Sequence, residues 1–183
     1  PLPPAKAERQ PEVNVMYAEL AACQFHALDD PACPLNTDYR ARLRGWRASA
    51  GSTYVWLYKV NFGEHWFWVH PNLHTLAADL RYLRSAGVTG VFEQGNLYLG
   101  DQWDGEFHEL RAYLLARLLW NPDLDWRQLR REFCAVYYGE AAGALMEQYM
   151  DDVCASALQA GAHCRDHVGK EAFQWVEPAM LAR

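Results

Sequence analysis

No stretch of the 183-residue chain approaches the ~20 apolar residues that cross a bilayer, and no charged-then-apolar opening resembles a signal peptide. A membrane-spanning helix is therefore not expected. Lys/Arg-rich runs are also missing, and the formal net charge is −6. That balance argues against a nucleic-acid or anionic-membrane partner, because such surfaces need clustered positive potential. There is no GxGxxG or Walker-type loop to cradle phosphate, and no cofactor is expected. A GxSxG elbow is absent too, and Ser49, Ser52, Ser85 and Ser156 fall on expected helices or before a strand. Ser/His/Asp nucleophile chemistry has little support.

What the chain does have is apolar and aromatic bulk: about half of its residues are hydrophobic, with eight Trp and ten Tyr. This suffices for one sizeable core, or for a core with a helical appendage. Aromatic faces also suit sugars and other amphipathic ligands, although most such rings simply pack a core. Five cysteines are an odd number, so at least one is unpaired within the chain. Cys23 and Cys33 bracket the turn-rich loop CQFHALDDPAC and are expected to close it as a short disulfide in an exported protein. A metal site built from Cys23, His26 and Cys33 lacks a fourth ligand and the usual tight cysteine spacing, so no metal is expected. Asp29, Asp30 and Pro31 read as a turn shaping this loop.

Residues 1–12 are proline-rich and polar, a linker. The segment opens PLPPAKAERQPE rather than with Met, so further chain is expected upstream. VNVMYAEL then gives a first strand, with Val13, Val15, Tyr17 and Glu19 on one face. TDYRARLRGWRASAG reads as a helix capped by Asn36 or Thr37, and STYVWLYKVNF as a buried strand between Gly51 and Gly63. Leu73, Leu76, Ala77, Leu80 and Leu83 recur at helical spacing before GVTGVF, a third strand. This β-α-β-α-β order over residues 13–104 predicts a parallel sheet covered by helices, an α/β fold. From residue 105 to 183 only helical patterns follow: EFHELRAYLLARLLW, DWRQLRREFCAVYYG and EAAGALMEQYMDDVCASALQ.

Parallel α/β folds gather function beyond the carboxyl ends of their strands. The first exit carries Glu19. The second carries Tyr58, Lys59 and Asn61, followed by His65 and Trp66; the third carries Glu93, Gln94 and Asn96, followed by Trp103. Carboxylates, amides and aromatics in that mixture predict a polar, sugar-like pocket. Glu19 and Glu93 are the candidate pair for glycoside hydrolysis, one protonated to donate to the leaving oxygen and one ionised. The alternative is that Glu93 orients a substrate hydroxyl while Glu19 forms an ion pair with Lys59. Tyr58, Lys59, Asn61, His65, Trp66, Gln94, Asn96 and Trp103 are the candidate substrate-binding residues.

The series VNVMYAEL, CQFHALDDPACPLN, LRGW, YVWLYKVNF, GVTGVFEQGN and ELRAYLLARLLWNPDLDWRQLRREFCAVYYGEAA closely resembles a bacterial family, domain of unknown function 4838. GVFEQGN and LLARLLWNPDLD are its most specific parts, and the latter is similar to a segment after the barrel of xylan α-glucuronidases. The resemblance implies the C-terminal portion of a (β/α)8 TIM-type barrel followed by a helical extension. It further implies a glycoside-hydrolase-like protein of polysaccharide degradation, exported by its bacterium. The expected partners are a carbohydrate and the upstream barrel half and N-terminal domain of the same protein. Leu57 stands where the family tends to carry an Asp, which removes one carboxylate and leaves a non-catalytic carbohydrate-binding role as the alternative.

Overall fold

The computed structural model describes residues 2–5, 8–18, 20–60, 70–95, 106–165 and 174–176. Their elements run β1 (Gln10–Ala18), α1 (Pro34–Ser49), β2 (Ala50–Tyr58), α2 (Leu76–Ser85), β3 (Gly90–Gln94), α3 (His108–Trp120), α4 (Trp126–Tyr138) and α5 (Glu140–Gln159). The three strands form one parallel sheet in the order β1-β2-β3. The β-α-β-α-β order and the three later helices agree with the sequence pattern, but β1 begins at Gln10, three residues ahead of the expected start.

Successive residues of a strand point to opposite sides of a sheet. On one side Val15, Tyr17, Val55, Leu57 and Val91 pack against Tyr39 and Leu43 of α1 and Leu83 of α2. Tyr39 and Leu43 lie one helical turn apart, so both face the sheet. The other side carries Met16, Trp56, Tyr58 and Phe92; Met16 is 54% and Phe92 50% exposed. There Trp56 stacks on Tyr58 and meets Phe92 edge-on, with ring centroids 5.7 and 4.8 Å apart. Both described crossover helices thus lie on the same side, and among the described residues no helix packs on the opposite, aromatic side, where Trp56 and Tyr58 are half-buried. Gly90 serves that surface, because a Cβ there would press into the ring of Tyr54, its register partner on β2.

α2 has a second packing partner. Its Leu76, Ala77 and Leu80 meet Leu110, Leu114 and Leu118 of α3 and Trp126 and Leu129 of α4, which continues the core into the helical region. Arg84 of α2 also forms a paired hydrogen bond with Asp123, and Arg81 donates to the Pro122 carbonyl, fixing the NPDLD turn. Asp125 then caps α4 by accepting from the Arg127 amide at 2.9 Å.

Two helices end alike. Gly87 after α2 and Gly161 after α5 take φ of +71° and +64°, and the amides that follow bond back into the last turn: Val88 to Leu83 O and Ala162 to Ala157 O. These are Schellman turns, which reverse the chain at a left-handed glycine. The second sends Ala162–Arg165 back towards the loop after β1, where the Gln24 amide donates to Cys164 O at 2.7 Å. Cys23, Phe25, Cys33, Val153, Ala157, Cys164 and Trp175 form the third apolar cluster at this junction.

At the α4/α5 crossing, Gly143 is buried, and a Cβ there would lie 2.6 Å from the carbonyl oxygen of Cys134. Gly143→Ala is expected to destabilise the chain by about 1–3 kcal/mol through overpacking, even though Ala is the better helix former. Urea unfolding checks this: a midpoint equal to or above that of the parent would contradict the close crossing.

Candidate functional site at the strand exits

The register pairs Leu57 with Glu93 and Tyr58 with Gln94, and the Lys59 amide extends the ladder by donating to Gln94 O at 2.8 Å. Alternation then divides the expected binding residues between the two sides. Glu93 and Lys59 fall on the helix-covered side, whereas Tyr58 and Gln94 share the side of Trp56 and Phe92. Glu19, Asn61, His65, Trp66, Asn96 and Trp103 lie outside the described residues.

On the covered side the structure assembles a buried charge cluster. Lys59 Nζ lies 2.5 Å from Asp79 Oδ2, with only 3% and 1% of the two side chains exposed. The other oxygen of Asp79 accepts from the Leu28 amide at 2.7 Å, so α2 holds both the β2 exit and the cysteine loop. Burial pulls the Lys59 pKa down, but Asp79 and then Glu93 outweigh it and the net shift is upward. Asp79 was missed by the sequence reading. Its signal is an acid among Leu76, Ala77, Leu80 and Leu83, on the stripe that α2 buries.

Glu93 shares this environment without sharing the ion pair. The residue is only half-buried as a whole, yet both its carboxyl oxygens are shielded and have no hydrogen-bond partner among the described residues. Burial pushes its pKa up to about 7; Lys59 offsets part of this, and Asp79 adds to it. The buried hydroxyl of Tyr39 likewise has no partner among the described residues, and its pKa is raised by burial and by nearby Tyr17, Asp79 and Glu93. Two carboxyl groups therefore stand in contrasting surroundings, one matched to a cation and the other poised to exchange a proton near neutrality. Leu57, where the resemblance led to an expected carboxylate, is 3% exposed and part of the core.

A polar network extends from Lys59 towards the helical region. Asn72 donates to the Lys59 carbonyl and to Gln24 Oε1, His70 Nε2 lies 2.7 Å from the same Gln24 oxygen, and Arg111 donates to Asn72 Oδ1. His70 is buried, and burial together with the Arg111 and Lys59 charges holds its pKa well below the usual value, so it is neutral. Beyond it lies a pocket of about 260 Å³ between residues 70–74, α4 and α5. Glu106 lines it, accepting from Tyr149 OH at 3.0 Å, with its pKa raised by burial.

A second cluster occupies the cysteine loop. Cys23 and Cys33 are unbridged thiols, so the disulfide expected for them is not formed. Each sulfur instead faces an imidazole: Cys23 Sγ lies 3.3 Å from His26 Nδ1, and Cys33 Sγ 3.6 Å from His163 Nδ1. Nor is Asn36 a helix cap. The N-cap of α1 is Cys33 with Pro34 following it, and the fully buried Asn36 side chain braces the loop, accepting from the Cys23 amide and donating to the carbonyls of Cys23, His26 and Ala27.

Residues 2–151 match the family described as "Domain of unknown function (DUF4838)". The chain belongs to this family. No curated protein matches, and neither does any solved structure. The DUF4838 match takes in all three strand exits and ends inside α5, so His163 and the tail that returns to the cysteine loop lie beyond the matched segment.

Removing one partner of a buried pair strands the other charge. Asp79→Ala is expected to cost about 3–5 kcal/mol in urea unfolding, with much of the loss recovered by the apolar double variant Lys59→Met/Asp79→Leu. A loss below about 1 kcal/mol would mean that Lys59 finds water or another anion.

The Glu93 shift has a definite sign. Its folded-state pKa of about 7 exceeds the ordinary 4.5, so between those values the folded chain holds a proton that the unfolded chain has released. That contribution is fully present below about pH 4.5 and is lost as pH rises through about 7. Glu93→Gln is expected to flatten the fall in stability across this window; urea midpoints with identical pH slopes in parent and variant would contradict it.

Proposed function

We propose that this DUF4838 chain is the closing portion of a (β/α)8-type barrel in a carbohydrate-active protein, with Glu93 as its candidate proton donor. One observation carries the reading: the parallel strands follow chain order 1-2-3, and both crossover helices lie on one side. Winding in a single direction curls a sheet around its uncovered side, whereas a doubly wound sheet reverses order and covers both. On this reading the aromatic side with Trp56, Tyr58 and Phe92 faces the barrel interior, and the upstream strands of the same protein complete the wall. Substrate sits above the carboxyl ends of the strands, where Tyr58 and Gln94 offer a ring and an amide to a sugar.

The chemistry that fits is hydrolysis of an O-glycosyl bond. A carboxyl with a pKa near 7 is half protonated at neutral pH and can donate to a leaving oxygen, while a second carboxylate, with Glu19 as the candidate, acts on the opposite face of the ring. Binding without turnover is the second reading. It is favoured by the shielding of both Glu93 oxygens on the helix side and by Leu57 in place of an acid.

The full-length protein distinguishes the two. If Glu93 donates a proton, Glu93→Gln lowers the rate on a cleaved glycan by roughly 100-fold or more while binding persists. Equal rates in parent and variant would remove Glu93 from the chemistry. Glycan binding by calorimetry with no turnover in the parent would select the binding role, and no binding to any polysaccharide would reject both. Tyr58→Ala is expected to weaken glycan binding about tenfold.

A further inference from the structure

We propose that Cys23, His26, Cys33 and His163 form a structural zinc site that clips the tail after α5 onto the loop after β1. Their four ligand atoms all lie within 4.8 Å of one another. Zn–S bonds of about 2.3 Å and Zn–N bonds of about 2.0–2.1 Å place the corners of a tetrahedral site roughly 3.3–3.8 Å apart. The two sulfur–nitrogen contacts, at 3.3 and 3.6 Å, already fall in that range. The remaining distances, none above 4.8 Å, close to that range with movements of up to about 1.5 Å.

The donor set selects the ion. Two thiolates and two imidazoles in a tetrahedral arrangement suit zinc, whereas magnesium and calcium prefer carboxylate and carbonyl oxygens. Four protein donors leave no open position, which marks the site as structural and not as a generator of reactive water. The burial gradient fits an ion entering from one side: both thiols are buried, His26 is half-buried and His163 is exposed. The loop is also held in place by groups other than the ligands. Asn36 fixes the backbone around Cys23 and His26, and Arg40 donates to the carbonyls of Leu28 and Asp30 just ahead of Cys33. Ligands braced in this way have less freedom to lose on binding, which favours affinity.

The fourth ligand arrives from 130 residues beyond Cys33, after the Gly161 reversal, and beyond the segment that matches the family. Zinc here closes a long loop, so its effect appears as stability of the fold. The sequence hid this ligand because nothing in local spacing connects His163 to Cys23-x-x-His26.

The test uses the full chain purified under reducing conditions. About one zinc per chain by elemental analysis is expected. Replacement by Co(II) should give the visible bands of a tetrahedral ion together with a thiolate-to-cobalt charge-transfer band. A chelator should lower Tm by about 5–10 °C, the shift for a site near-saturated in a chain of this size. His163→Ala, at an exposed position, should keep the fold while weakening zinc binding at least about tenfold and abolishing the chelator shift; Cys33→Ser should remove the charge-transfer band or most of its intensity. If Cys33→Ser does not fold, the parent cobalt spectrum and His163→Ala decide. A folded parent that takes up no zinc at micromolar concentrations overturns the proposal. So does a Cys23–Cys33 disulfide that makes Tm sensitive to reductant and indifferent to chelator, or zinc binding that His163→Ala leaves unchanged.

Discussion

The buried contact between Lys59 and Asp79 is the constraint around which the strand exits are arranged. An ammonium and a carboxylate removed from water are costly unless each is matched. Lys59 must therefore leave β2 where α2 passes, and Asp79 must point to the sheet while its second oxygen takes the Leu28 amide. One side chain thus ties a strand, a helix and the cysteine loop together. Glu93 lies beside this pair without joining it: burial lifts its carboxyl to about 7, Lys59 offsets only part of that rise, and the Asp79 charge adds to it.

Much of the fold was legible because periodicity is a local property. Leu76, Ala77, Leu80 and Leu83 announce α2, and continuous β-branched and aromatic runs announce β2 and β3. Asp125 capping α4 and Gly87 ending α2 are likewise local, each acting on backbone a few residues away. Asn36 illustrates the limit. As a small amide at the start of a helical pattern it has the composition of a cap, but with proline next to Cys33 the helix begins earlier, and the amide serves the loop instead.

The site was only partly legible, and the reason is geometric. Strand ends could be found, and with them Lys59 and Glu93. Which side each faces was also given by alternation, but which side the helices cover depends on the handedness of the crossovers and on long-range packing. The partner of Lys59 sat on a helix read only for its apolar residues, and His163 approaches Cys33 solely because two distant segments meet.

That meeting depends on the length of α5. Each residue added to an α-helix advances its end by about 1.5 Å and turns it by about 100°. A single insertion in α5 would therefore swing the Gly161 reversal, and everything after it, away from Cys33, whereas an insertion of about one full turn would preserve the direction and only displace the tail along the axis. The helix works as a ruler with coarse graduations. Chains of this architecture that keep a histidine after the reversal should differ in this helix by whole turns or not at all.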